Sequence, residues 1–250
     1  MAGHWLLARL GKRVLRPGGV ELTNRLLGAL RISSADDVVE LAPGLGATTK
    51  LVLANEPASY RGVDRDPVAV DRVAHIVSGP NRSVVQGTAS DTGLEDESAD
   101  VAFGEAYLTM QPSSQKERIV NELRRILRPG GRMALHEVSF RDGISEADRK
   151  QVTEELRNSI KVHVSPLSDQ EWCSLLTDNG FEAQAHENAP LHLLEPKRLI
   201  ADEGLLGAAK FAARVLSEKD ARKRVVAMRR AMSGNDDKLQ AVMISAVRVS

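Results

Sequence analysis

A chain of 250 residues and 27.2 kDa exceeds one small domain and falls short of two, so one core with additions is expected. Hydrophobic residues make up 42%, enough for a core that needs neither disulfides nor metal clips. Lys plus Arg and Asp plus Glu number 34 each, a balance that argues against coating nucleic acid through bulk charge. The single cysteine, Cys173, excludes an intramolecular disulfide, and one thiol among six scattered histidines offers no metal-ligand spacing, so no metal is expected.

Residues 1–31 read as helical and carry six Arg or Lys against one Glu. The apolar run at 5–8 stops at Arg9, short of a signal-peptide core, and the longest other run, 241–247, is too short to span a bilayer. A soluble, cytoplasmic protein without a membrane partner is the expectation. From residue 37 onward, β-rich runs alternate with stretches of helical period, the pattern of a parallel sheet flanked by helices. The runs are 38–41, 60–64, 83–86, 100–104, 132–137, 181–186 and 239–249, seven strands of an α/β fold.

Between these runs, Asp66 followed by Pro67 signals a helix start, with Val70, Val73, Ala74 and Val77 on its buried face. A second helix follows Pro112 and ends in the turn 128–131. Ser168 with Glu171 predicts a capping box for a third, closed by Gly180. Three segments fall outside the alternation: 1–31, 141–166 (a helix capped by Ser145) and 190–235. The stretch 197–230 holds ten basic and four acidic residues, usually a solvated helix face and otherwise a surface attracting an anionic substrate.

The most informative stretch is Glu40-Leu41-Ala42-Pro43-Gly44-Leu45-Gly46. A buried strand ends in a carboxylate and a turn with two glycines feeds a helix, which lets backbone approach a ligand at the carboxyl edge of the sheet. Asp64 ends the second strand, where an acid can accept two hydrogen bonds from a ribose diol. Gln86-Gly87-Thr88-Ala89-Ser90 then places small side chains where a flat base could lie.

With these motifs, and with Gly62-Val63-Asp64, the run 97–102 and Leu127-Arg128-Pro129-Gly130-Gly131-Arg132, the chain resembles the class I S-adenosylmethionine-dependent methyltransferases. The likeness is greatest to the bacterial small-molecule branch grouped as type 11, and it is strong over about 37–139. It implies a Rossmann-like, mostly parallel seven-stranded sheet with the last strand antiparallel, and S-adenosyl-L-methionine as cofactor. Residues 1–31 would form an N-terminal helical cap and 32–250 the methyltransferase domain, with the insertions 141–166 and 190–235 forming a substrate lid.

By position, the resemblance implies that Glu40, Ala42, Pro43, Gly44 and Gly46 line the methionine moiety. Asp64 would hold the ribose hydroxyls with Arg65 beside the adenine, Thr88 and Ala89 would contact the adenine edge, and Gly104 with Glu105 would lie under the cofactor. Ala42 stands where the family usually has glycine, which with Pro43 makes a stiffer turn, and Thr88 stands where an acid is common.

Methyl transfer from a sulfonium is an in-line displacement, so positioning and exclusion of water are the main tasks. A base is needed only for a protonated acceptor. Glu105, His136 and Glu137 at strand ends are the catalytic candidates, with Tyr107, His4, Trp5 and His163 as substrate contacts. Each also has a structural reading. Two other classes stay open. A nicotinamide-dependent oxidoreductase would want a third glycine where Thr49 stands. An RNA methyltransferase or a non-catalytic binding protein on the same fold is disfavoured on the RNA side by an aromatic content of 3%. The oligomeric state is open, a homodimer included.

Overall fold

A computed structural model describes residues 2–249; positions 1 and 250 of the expected domain ranges lie outside the described residues. The sheet runs β3 (Arg82–Gln86), β2 (Ser59–Asp64), β1 (Asp37–Leu41), β4 (Ala99–Glu105), β5 (Leu127–Phe140), β8 (Leu239–Arg248), β7 (Phe181–Ala189), with the two-residue β6 (Leu167–Ser168) paired to β5. All pairings are parallel except those of β8, which runs antiparallel to both β5 and β7. The chain reverses direction in the strand order between β1 and β4, and that crevice is where α/β sheets bind ligands.

Seven of the eight strands coincide with the apolar runs. β6 is too short to leave a periodic signature, and β5 begins at Leu127, so the 128–131 turn lies inside the strand's span. Helix starts follow the local chemistry. Asp66 accepts a hydrogen bond from Val68 N ahead of α4 (Pro67–Ala74), Ser145 caps α6 (Glu146–Ile160), and Ser168 and Glu171 close the expected capping box on α7 (Asp169–Thr177).

Two layers cover the sheet. On one face α5 (Ser113–Ile126) lays down Ile119, Leu123 and Ile126, joined by Trp172 of α7. On the other, α2 (Gly19–Leu30) presents Leu22, Leu26 and Leu30 at four-residue spacing against Val38, Tyr60, Phe103 and Ala134. α3 (Ala47–Leu53) contributes Val52 to that layer.

The three segments outside the alternation converge. α1 (Gly3–Arg9), α6, α8 (Pro196–Ser217) and α9 (Lys219–Ser233) share one apolar cluster, with Leu6, Leu10, Leu156, Phe211, Val225 and Met228 packed beside Phe140 near the carboxyl end of β5. α8 is two helical pieces broken at Gly204, whose φ of 72° and ψ of 165° are non-helical. Just before that break, Asp202 and Glu203 point inward. Glu203 Oε1 accepts from Arg13 N at 2.7 Å and Val14 N at 2.9 Å, and buried Lys12 Nζ lies 3.2 Å from Asp202. The stretch expected to be a solvated basic face keeps most of its basic residues exposed, while two of its acids, Asp202 and Glu203, turn inward to hold the link between α1 and α2.

Among the described residues, no helix is long and apolar enough to cross a membrane, and no group of three or more His, Cys, Asp or Glu is placed to hold a metal. Cys173 is free.

Candidate active site

A cleft of about 280 Å³ opens at the carboxyl edge of β1, β2 and β4. The turn after β1 forms its floor. Ala42 sits at φ 53° and Gly44 at φ 55°, left-handed conformations that cost an alanine about 1 kcal/mol and glycine almost nothing. A Cβ on Gly44 would meet only Ala42 O, at 3.8 Å, so this part of the turn faces open space. Gly46 serves another purpose. A Cβ there would come 2.3 Å from Ile76 Cδ1, so it allows close packing against the region just after α4. Gly104 likewise lies off the cleft wall, beneath the ring of Tyr107.

Asp64 is buried at the end of β2 and ties the turn down. Gly44 N donates to Oδ2 and Asp66 N to Oδ1, both at 3.0 Å. Each carboxylate oxygen offers two lone-pair directions, so one on each remains for a vicinal diol. Arg65, Thr88, Ala89, Ser90 and Ile119 line the wall beyond it, small or flat groups suited to a planar base. Trp5 and Tyr107 also line the cleft. Burial and the nearby Glu137 hold the Tyr107 phenol well above its ordinary range, so it is a hydrogen-bond donor and no base.

Two glutamates face each other across neighbouring strands in opposite electrostatic settings. Glu40 accepts from Tyr60 Oη at 2.6 Å and Thr49 Oγ1 at 2.8 Å. Burial, assisted by the charge of Glu105, outweighs those bonds and pushes its carboxyl up to about 7. Burial also acts against Glu105, but there it is overcome by the Arg16 guanidinium, by His136 and by Thr23, and the carboxyl falls to about 2. Thr23 Oγ1 and Thr48 Oγ1 each donate to it at 2.5 Å, and His136 Nδ1 lies at 2.7 Å.

The three catalytic candidates part company in space. Glu105 lines the cleft. His136 is fully buried and lines neither the cleft nor a second, smaller chamber under the cap. Its Nδ1 meets Glu105 and its Nε2 meets Pro17 O, so both ring nitrogens face oxygens that accept, and no lone pair is left for a substrate proton. Glu137 is fully buried and accepts from Tyr107 N, Leu108 N, Thr109 N and Thr109 Oγ1 at 2.6–3.0 Å, which fills its four acceptor positions. It borders that smaller chamber. His163 is exposed and lines neither space, whereas His4 lines both.

Sequence reasoning missed Arg16, Thr23 and Thr48. Arg16 Nη1 donates to Thr48 at 2.7 Å and its Nε lies 3.4 Å from Glu105, so its guanidinium lines the cleft paired with that carboxylate. The available signal was Arg16-Pro17-Gly18-Gly19, a turn that breaks the helical reading of 1–31 and delivers an arginine at its start. The donor set therefore fits a nucleoside with a charged amino-acid tail: a diol acceptor in Asp64, an open glycine turn, an apolar slot, Arg16 for a carboxylate and Glu40 with Glu105 for cationic groups.

Residues 39–135 match the family described as a methyltransferase domain, type 11. An uncharacterized protein of Haemophilus influenzae is 34% identical over 214 residues, 84% of this chain and 83% of that protein. An uncharacterized methyltransferase of Synechocystis is 31% identical over 133 residues, 52% of this chain and 61% of its own. Among solved structures, a Haemonchus contortus phosphoethanolamine N-methyltransferase bound to phosphomonomethylethanolamine and S-adenosylhomocysteine superposes with a TM-score of 0.75 at 17% identity, over 99% of this chain and 57% of that one.

Proposed function

Since the chain belongs to the class I S-adenosylmethionine-dependent methyltransferases, we propose that it transfers a methyl group from that cofactor to a small-molecule acceptor, in the cytoplasm. When bound, S-adenosylmethionine supplies a methyl group on a positively charged sulfur that is already activated for displacement. The chain's own work is then to bind, to orient and to keep water out.

Asp64 would hold the ribose hydroxyls, Gly44 and Ala42 would let the backbone lie against the amino-acid tail, and Arg16 would take its carboxylate. Glu105, held ionised by Arg16 and the two threonines, presents a fixed negative charge to the cationic end of the cleft. The cap of α1, α6, α8 and α9 closes the carboxyl edge over the acceptor. An anionic acceptor, suggested by the basic 197–230 stretch, finds little support there, because none of its lysines or arginines lines the cleft or the chamber.

The observation that carries this reading is Asp64, which pins the glycine turn with one lone pair per oxygen and keeps the others for a diol. Calorimetric titration with S-adenosylhomocysteine should give micromolar affinity, and Asp64→Ala should weaken it at least tenfold, about 1.4 kcal/mol. Equal affinity in the variant would remove the ribose assignment.

A further inference from the structure

A second chamber of about 110 Å³ adjoins the cleft beneath the cap, and His4, Leu15, Ala106 and Met110 border both spaces. The chamber walls are hydrocarbon: Leu7, Leu156, Val164, Leu193 and Met228 come from α1, α6, α9 and the loops between them. For scale, an apolar cavity of about 150 Å³ stays dry and accepts benzene, so this space suits one ring or a short branched chain.

Polar side chains at the chamber wall are few, and two are already satisfied. Glu137 has its four acceptor positions filled, and Thr109 donates to Glu137 while accepting from Val138 N at 3.2 Å. Pro17 O is taken by His136. His4 differs. Its Nδ1 is sealed from solvent and has no hydrogen-bond partner among the described residues. Burial, then the charge of Arg65, lowers the His4 imidazole below its ordinary value against the opposing pull of Asp66 and Asp64, so the ring is neutral at pH 7 and carries one lone pair.

Building on the methyl-transfer reading, we propose that this chamber binds the acceptor, a compact, uncharged, mostly hydrocarbon molecule with a single O–H, N–H or S–H group, and that His4 receives that group's proton at the junction with the cofactor cleft. The acceptor's lone pair forms the bond to the methyl carbon. The carbon–sulfur bond breaks with its electron pair remaining on the now neutral sulfur, and the proton passes to His4, which returns it to water. In the tautomer with its proton on Nε2, Nδ1 is an unpaired buried acceptor, which costs about 1–3 kcal/mol, and a ligand that satisfies it recovers that cost, whereas an isostere without the X–H does not.

The test is an NMR titration of the full chain saturated with S-adenosylhomocysteine, using 4-methylphenol, toluene and 4-hydroxybenzoate as probes. The phenol should bind at least tenfold more tightly than toluene and than the anionic benzoate. In His4→Phe, likewise saturated with S-adenosylhomocysteine, the preference for the phenol over toluene should shrink to within threefold. Leu193→Trp, which fills the chamber, should abolish binding of both neutral probes and leave S-adenosylhomocysteine affinity intact. Benzoate binding as tightly as the phenol, phenol and toluene binding alike to the wild type, or a preference that survives His4→Phe would each overturn the proposal. If S-adenosylhomocysteine itself fails to bind, the methyl-transfer reading falls; if it binds and neither neutral probe does, only the chamber assignment falls.

Discussion

The cofactor cleft and the chamber beneath the cap adjoin, yet they are built by opposite rules. The cleft is a set of polar groups that fix one another: Asp64 on the Gly44 and Asp66 amides, Glu105 on Thr23, Thr48 and His136, Glu40 on Thr49 and Tyr60. The chamber is hydrocarbon drawn from several helices, with its polar groups turned on each other and His4 left over. A donor of fixed structure can be recognised by directional hydrogen bonds from one continuous βαβ unit. An acceptor that differs between enzymes of one fold is selected by the shape of added segments, which evolve separately from the sheet.

The sharpest way to break that contrast is at the joint between the two regions. Glu203 holds the Arg13 and Val14 amides and lies 3.9 Å from buried Lys12. Glu203→Ala should cost about 4 kcal/mol, as expected when one partner of a buried charge cluster is removed, and lower the melting temperature by about 10 °C in thermal denaturation. A variant melting with the wild type would show that the α1–α2 link is held by something other than α8.

Within the cleft the two glutamates predict opposing pH dependences. Glu40 titrates higher in the folded chain, at about 7, than when unfolded, so the folded state binds the extra proton and stability declines as pH rises from about 4.5 through 7, by about 3 kcal/mol. Glu105, at about 2, contributes stability above about pH 4.5 that is lost as pH falls towards 2, by about 3 kcal/mol. Melting curves across this range should show Glu40→Gln gaining on the wild type as pH rises, and Glu105→Gln closing its deficit as pH falls. Parallel curves for either variant would contradict the assigned environment. A smaller effect tests the turn: Ala42→Gly should relieve the left-handed alanine and raise stability by up to about 1 kcal/mol, read as a shift of about 2–4 °C.

The sheet and the turn and acid that border the cleft at its carboxyl edge were legible because they depend on local signals. The strands were readable as apolar runs, Asp66, Ser145 and Ser168 announced their helices by capping chemistry, and Gly44 and Asp64 occur in one βαβ unit. Reading failed where function rests on contacts distant in sequence. His136 reads as a base at a strand end, and only the fold brings Pro17 O against its second nitrogen. The basic excess of 197–230 concealed the role of Asp202 and Glu203, whose partners lie about 190 residues away. His4 reads as one histidine in a helical segment, and its significance comes from the cavities on either side of it.

A crystal structure of the chain with S-adenosylhomocysteine decides how the nucleoside sits. Both ribose hydroxyls should lie on Asp64, the base against Ala89 and Ile119, and the sulfur should turn towards His4 and the apolar chamber. A nucleoside bound elsewhere, or one whose sulfur points away from that chamber, would contradict that arrangement.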